Sequence, residues 1–240
     1  MRERKFLRTV AIMIGLSLAG CGALQGAESG KGGQPGEAGK GGQPGEVLYQ
    51  ADWSHGLDGW SGVGGWKTLN GQLINDGSNT HYNVWTRAPY RPGNISDYAV
   101  EADIQVVSVA NPQFDSFGIL VRGGESTSAS TSASASASSQ AAGYRAGIDG
   151  ETGYVGGPLV VARITRPGPY GPEPIAKARF NPRKSWHSYR VEADGNKLKL
   201  LIDGALIAEG LDNTYLSGGQ VGLWSNEVQL NVRSFKVLRL

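Results

Sequence analysis

Between Glu101 and Val106 the chain alternates strictly. Glu101, Asp103 and Gln105 fall on one side of an extended backbone, and Ala102, Ile104 and Val106 on the other. A repeat of two is the signature of a half-buried strand, because successive side chains of an extended chain point to opposite faces. The same repeat returns at Leu198, Leu200 and Ile202, opposed by Lys197, Lys199 and Asp203, with Leu201 as the exception. From residue 47 onward such runs are short and rich in Val, Ile, Tyr and Trp, and Gly, Asn, Asp and Pro separate them. No window sustains a helical period. The pattern predicts strands at 47–51, 64–69, 71–75, 82–88, 97–108, 114–122, 143–149, 158–165, 174–180, 186–194, 196–203, 205–209, 220–225 and 228–239. Asn70-Gly71, Asp194-Gly195-Asn196 and Asp203-Gly204 supply the turn chemistry between them. Many short strands in ~190 residues without helices imply an all-β, antiparallel fold, a two-sheet sandwich or jelly roll.

Three segments stand outside that pattern. Residues 22–46 are mostly Gly with Gln, Pro, Glu and Lys, and carry the unit Gly-Lys-Gly-Gly-Gln-Pro-Gly-Glu twice, from Gly30 and from Gly39. Such a stretch has almost nothing to bury and reads as a flexible tether with a reach of roughly 25–30 Å. Gly does not recur strictly every third residue, which excludes collagen. Residues 126–142 alternate Ser with Ala and Thr, offer no bulky face, and read as a loop inserted between two strands. Arg166 to Pro174 holds four prolines, so it is expected to be a stiff exposed loop with Tyr170 near its middle.

The amino terminus reads as an address. Arg2, Arg4, Lys5 and Arg8 precede a short apolar run, Val10 to Leu18, and then Leu18-Ala19-Gly20-Cys21. The run is too short to span a bilayer and suits a signal segment. Charge, apolar run and the four-residue motif together resemble the bacterial lipobox. That resemblance implies removal of residues 1–20, a diacylglycerol on the Cys21 sulfur and an amide-linked acyl chain, palmitate for example, on its nitrogen. Several chains would hold the protein stably on a membrane of the bacterial cell envelope, facing the periplasm or the exterior. The expected organisation is a signal peptide at 1–20, the lipidated Cys and linker at 21–46, and one domain at 47–240.

Composition removes several classes of function. The chain carries 23 basic and 21 acidic residues, a net charge of +2. The leader accounts for four of the basic residues and one of the acidic, so the mature chain holds 19 against 20 and no excess of the kind phosphate neutralisation requires. One Cys excludes a disulfide framework and a multi-thiolate metal site, and three scattered His argue against a His-rich one. No phosphate-binding loop of the Walker type is present.

A resemblance enters through the order of motifs along 47–240. These are Asp52-Trp53, Trp60, Trp66 and Gly71-Gln72-Leu73, then Phe117-Gly118-Ile119-Leu120-Val121-Arg122 and Gly143-Tyr144-Arg145. The carboxyl-terminal part continues with Trp186-His187-Ser188-Tyr189-Arg190-Val191-Glu192, Leu200-Leu201-Ile202-Asp203-Gly204, Gly219-Gln220-Val221-Gly222-Leu223-Trp224 and Val232-Arg233-Ser234-Phe235-Lys236-Val237. The series resembles the concanavalin A-like lectin and glucanase jelly roll, and most closely its branch with the 3-keto-disaccharide hydrolases and laminin-G-like domains. The resemblance implies that Trp53, Trp60, Trp66, Trp186 and Trp224 are mostly core, at least three of them buried.

Three constellations could carry chemistry. Glu101-Ala102-Asp103-Ile104-Gln105 resembles the catalytic strand of family 16 glycoside hydrolases, where a last Glu acts as acid and base. Here that position is Gln105 or, in the longer spacing, Val106, and neither delivers a proton. Second, Glu101, Asp103, Arg122, Arg145, Asp149 and Arg163, with Trp85 and Tyr144, are expected to converge on one concave sheet. Planar rings against sugar faces and forked polar groups at hydroxyls would bind carbohydrate there. Strand parity places Arg122 with Ser116 and Gly118, and Arg145 with Gly147 and Asp149. Against the keto-disaccharide branch, Arg122 matches an Arg that closes a Gly-Ile-x-x-Arg-like strand. Arg145 stands where that branch has Glu. The bland alternative is ordinary surface ion pairing. Third, Asp52 lies where such jelly rolls hold a structural calcium ion, with oxygen ligands to suit it; the alternative is a turn aspartate bonding its own backbone.

The sequence thus predicts a lipid-anchored envelope protein whose jelly roll binds carbohydrate or polysaccharide without catalysis. Alternatives are a glycoside-processing hydrolase of the 3-keto-disaccharide type and a scaffold that recruits other proteins. Calcium is the one cofactor the sequence suggests.

Overall fold

Period-two segments pair side by side, and their apolar faces have to meet. The computed structural model describes residues 43–57, 59–62, 65–78, 84–110, 115–124, 142–150, 161–168 and 171–240, with strands and no helix among them. In chain order the strands are β1 (Val47–Gln50), β2 (Ser61–Gly62), β3 (Trp66–Leu69), β4 (Gln72–Asp76), β5 (Val84–Arg87), β6 (Tyr98–Val109), β7 (Ser116–Gly123) and β8 (Tyr144–Asp149). They continue with β9 (Val161–Gly168), β10 (Gly171–Arg179), β11 (Trp186–Asp194), β12 (Lys197–Ile202), β13 (Ala205–Leu211), β14 (Gln220–Asn226) and β15 (Val228–Arg239). Only the two-residue β2 had no counterpart in the sequence pattern. The leader, Cys21, the Gly-rich repeats up to Gly42 and most of 126–142 lie outside the described residues.

The strands form two antiparallel sheets. An eight-stranded sheet runs β13-β12-β11-β6-β15-β4-β3, with β1 also on β15, and a seven-stranded sheet runs β10-β9-β8-β7-β14-β5-β2. Inward residues follow the alternation. Tyr98, Val100, Ala102, Ile104, Val106, Leu198, Leu200 and Ile202 face Phe117, Ile119, Val121, Ala146, Ile148, Ile164, Val221 and Leu223 in one apolar core. The sandwich is the jelly-roll arrangement the sequence predicts.

Several bulges break the alternation, and two of them matter for side-chain direction here. On β15 the inward series Val228, Leu230, Val232 resumes at Phe235, because the register with β6 shifts between Val232 and Ser234. On β7 three residue steps from Leu120 to Gly123 oppose two on β14 from Gly222 to Gln220. The extra residue puts Arg122 in the left-handed region, φ 52°. A bulge of this kind re-aims its side chain.

The proline-rich segment is not a loop. β9 and β10 form a hairpin that pairs Pro167 with Pro172 and Thr165 with Pro174. β10 is the outermost strand of its sheet, where a missing N–H costs no ladder bond. The prolines therefore mark an edge. Tyr170 lies outside the described residues. The expected turns are tight: Asn70-Gly71 and Asp203-Gly204 have φ of 52° and 71°, and 53° and 80°. These angles suit the two-residue hairpin turns that link β3 to β4 and β12 to β13.

A candidate binding trough on the seven-stranded sheet

Because β7, β8, β9 and β14 turn alternate residues inward, the residues between them form the outer face of the sheet. Cross-strand pairing arranges that face in rows. The middle row is Trp85, Trp224, Gly118, Gly147, Arg163 and Lys177. A second row is Arg87, Gly222, Leu120, Arg145, Thr165 and Pro174. A third is Asn226, Ser116, Asp149, Val161 and Arg179.

The middle row has indoles at one end, cations at the other and two glycines between. A Cβ at Gly118 or Gly147 would run into a backbone oxygen of the adjoining strand, so the backbone here accepts glycine alone. The result is a trough whose floor carries no side chains. Trp85 and Trp224 form one wall, tilted at 36° with ring centroids 6.2 Å apart. They are 7% and 5% exposed and join Leu120 in a small apolar cluster separate from the main core.

Arg145 rises from the neighbouring row into this wall. Its guanidinium carbon lies 5.2 Å from the Trp85 ring centre and 5.6 Å from that of Trp224. The residue is 3% exposed. Its Nε and Nη2 have no hydrogen-bond acceptor, and neither do Nε of Arg163 and Nε1 of Trp224. Burial pushes the Arg145 guanidinium below its ordinary value, with Asp149 opposing. A guanidinium stays protonated in proteins, so the shift registers a buried charge whose loss of water outweighs the attraction of Asp149.

Asp149 supplies part of that charge. Its Oδ2 accepts from Arg163 Nη1 at 3.2 Å, and it also bonds Ser116. Burial nevertheless holds its carboxyl above the usual carboxylate range, outweighing Arg163, Ser116 and Arg145. A buried carboxyl of this kind can accept a hydrogen bond or, once protonated, donate one.

The remaining candidates do not meet here. Glu101 and Asp103 sit on β6 of the other sheet, 3.5 Å from Arg190 and 3.1 Å from Arg233. Parity told which side of a strand they occupy but not which sheet the strand joins. Arg122 leaves the face at the bulge. Its side chain is fully buried and donates to the carbonyls of Ser96, Gly195 and Tyr215 at 2.7, 2.6 and 3.1 Å. Its backbone N–H donates to the Tyr98 hydroxyl at 2.7 Å. Arg122 is a clamp that holds three loop carbonyls at one end of the sandwich. Tyr144 points into the core, where its hydroxyl donates to Asp212 Oδ1 at 2.8 Å and accepts from the Tyr215 N–H at 2.9 Å. Burial, with a smaller push from Asp212, moves that phenol up to about 12.

The expected convergence therefore narrows to Trp85, Arg145, Asp149 and Arg163. Trp224 joins them although its motif position suggested core. Val221 and Leu223 face inward, so parity alone would have turned Trp224 outward. Trp53 and Trp66 do lie in the main core, while Trp60 and Trp186 are half-buried. Asp52 is exposed, and its Oδ1 accepts the Ser54 N–H at 2.9 Å. Among the described residues no three His, Cys, Asp or Glu gather as a metal site would require.

Comparison with known proteins agrees with the fold. Residues 52–238 match the family model of the 3-keto-alpha-glucoside-1,2-lyase-like domain. No curated protein matches the sequence. Among solved structures, carbohydrate binding module CBM66 from Bacillus subtilis superposes with a TM-score of 0.57 at 16% identity, over 75% of this chain and 95% of its own. A B. subtilis protein of unknown function with a galectin-like fold gives 0.63 at 14% identity, over 82% and 97%. The catalytic domain of an endo-1,3-beta-glucanase (laminarinase) from Thermotoga petrophila gives 0.54 at 8% identity, over 81% and 97%. At such identities the likeness is one of fold, shared by binding modules and hydrolases.

Proposed function

The chain belongs to the 3-keto-alpha-glucoside-1,2-lyase-like domain family, and from that premise we propose that its jelly roll binds carbohydrate in the trough of the seven-stranded sheet without turning it over. The observation that carries this reading is Arg145, buried against two indoles with two N–H groups that meet no acceptor. Aromatic faces cover the apolar side of a sugar ring, and forked donors take its oxygens. Among the described residues the rows of the trough hold one carboxylate, Asp149, where hydrolysis by the common glycosidase mechanisms uses a pair.

The anchor belongs to the same proposal. Lipidation of Cys21 and the Gly-rich tether would hold the domain near, but free of, a bacterial envelope membrane. The order of basic residues, apolar run and lipobox-like motif supports this. Replacement of Cys21 by Ser should release the protein from the membrane fraction and abolish incorporation of a labelled fatty acid.

One observation favours a second reading. A 1,2-elimination on a 3-keto sugar needs a single base to take the C2 proton, which the adjacent carbonyl acidifies, and a cation to stabilise the resulting enolate; the enolate then forms the C1–C2 double bond as the C1–O bond breaks, and the aglycone leaves as an alcohol by taking up that proton. Asp149, held above its usual range, and Arg145 could fill those roles. A broad glycan array with the full chain in detergent, read alongside product release from a 3-keto-glucoside, separates the two. Selective binding lost in Trp224→Ala, without turnover, fits the binding reading. Turnover lost in Asp149→Asn replaces it with the lyase. A blank in both overturns both.

A further inference from the structure

The same trough has a charge and a donor geometry that a neutral sugar leaves unanswered. Among the described residues its rows hold Arg87, Arg145, Arg163 and Lys177 beside one carboxylate, Asp149. That carboxylate is already engaged by Arg163 and Ser116. It can neutralise one guanidinium, not two. The unanswered one is Arg145, which is the more buried.

The two acceptor-free nitrogens of Arg145 are Nε and Nη2. These two point their N–H bonds from the same edge of the guanidinium plane, parallel and side by side. That edge matches the two oxygens of a carboxylate, or two oxygens of a sulfate or phosphate group, and it is the strongest pairing a guanidinium makes. A lone sugar hydroxyl fills half of it. The Trp85 and Trp224 rings flank the guanidinium, and its forked edge is shut off from solvent without an acceptor, so a ligand that reaches it does so by displacing what covers it. Nε of Arg163, in the next strand across, also meets no acceptor, and Lys177 extends the row as an exposed cation.

We propose that the trough selects acidic saccharides, taking a sugar-borne oxyanion on the Nε–Nη2 edge of Arg145 while the ring lies across the glycine floor beside Trp85 and Trp224. The proposal rests on the carbohydrate reading of this site and adds the class of ligand. The shared chemistry is a two-oxygen anion on a sugar. Its two sources are a uronate carboxylate and a sulfate ester. Arg163 and Lys177 add long-range attraction for a chain of such units. A charge-assisted bond exceeds a neutral one by enough to give about a tenfold preference.

The test uses the full chain in detergent and the fluorescence of its indoles. The probes are trigalacturonate, its fully methyl-esterified counterpart and a sulfated neutral trisaccharide. The expected result is that one acidic probe binds about tenfold more tightly than the ester, that added salt narrows the ratio, and that Arg145→Lys removes it. Lysine keeps the charge and loses the fork. Whichever of carboxylate and sulfate is preferred identifies the source. The acid-to-ester ratio of the unmutated protein needs no variant to fold. An ester that binds the unmutated protein as tightly as both acidic probes overturns the inference and leaves the carbohydrate reading intact. If neither acid, ester nor the neutral glycans of an array bind, the carbohydrate reading itself falls.

Discussion

The two outer faces of the sandwich carry similar residue types to opposite ends. On the eight-stranded sheet Glu101, Asp103, Arg190, Glu192, Lys199 and Arg233 pair with one another at 2.8–3.5 Å, each partly exposed to water and Arg233 about half exposed. Trp186 lies beneath Arg233, with the guanidinium 4.8 Å above its ring. On the seven-stranded sheet the corresponding ring and cation are Trp224 and Arg145, and there the cation is buried with two donors idle. A charged face is therefore no mark of a site. A charge taken out of water and left without its partner is one, because folding alone gains nothing from that arrangement.

Two buried arginines offer the largest break in this comparison. Arg122 and Arg145 are 2% and 3% exposed, on adjacent strands. Arg122 reaches three carbonyls through its terminal nitrogens. Arg122→Ala should cost about 3 kcal/mol or more, because those acceptors lose a charged donor. Thermal unfolding should then fall by roughly 6–12 °C. A fall of less than a degree or two would mean that water replaces the guanidinium freely, and that the end of the sandwich is looser than its distances indicate.

Arg145→Met should behave in the opposite way. Methionine keeps the apolar stem against Trp85 and Trp224 and removes an ion whose burial is uncompensated. Asp149 keeps Arg163 and Ser116 as partners, so the removal returns the cost of holding the guanidinium out of water and strands no other charge. The variant should unfold at the same temperature as the parent or above it, yet lose saccharide binding. A variant that both unfolds early and binds normally would place Arg145 with Arg122, as a structural residue.

The sequence discloses the strands well and the site only in part, and particular residues show why. Alternation depends on residue type alone, so the strands around Ala102 and Leu200 are legible from the chain itself. Parity also pairs Arg145 with Gly147 and Asp149 correctly, since β8 has no bulge. It fails at Arg122, because a one-residue bulge on β7 arises from pairing with β14, a strand some hundred residues away in sequence. It cannot assign Glu101 to a sheet, since that depends on which strands become neighbours. The proline hairpin misleads for a related reason: proline reports a missing ladder bond, which means a loop or an edge, and only topology decides between them.

Acid titration sharpens the contrast through two aspartates of opposite sign. Burial holds Asp149 above its unfolded value of about 3.9. Its contribution to stability is therefore fully present below that value and is lost as pH rises through the folded one. Burial works the same way on Asp203, but the His187 ring at 2.6 Å and the Ser188 N–H at 3.0 Å outweigh it and hold that carboxyl low. Its contribution is present above the unfolded value and disappears as pH falls through the folded one. Thermal unfolding from pH 3 to 7 should show Asp149→Asn gaining on the parent as pH rises and Asp203→Asn gaining as pH falls. Difference curves of the same sign would contradict the burial assigned to Asp149.

The smallest effect is expected from the pair that most resembles the site. Arg233 stacks on Trp186 and bonds Asp103 Oδ2 at 3.1 Å, with Arg233 about half exposed. Water reaches both charges, so neither loses much hydration by pairing and neither is left stranded when its partner is removed. Arg233→Ala, Asp103→Asn and the double variant should each change stability by less than about 1 kcal/mol, with a coupling in the cycle of a few tenths. None should alter saccharide affinity. The same cycle on Arg163 and Asp149 should give a larger coupling, because both are mostly buried, and it should move affinity as well. If the Arg233 cycle proved the stronger of the two, or if Trp186→Ala weakened saccharide binding while Trp224→Ala did not, the working face would be the eight-stranded sheet, and the idle donors of Arg145 would need another explanation.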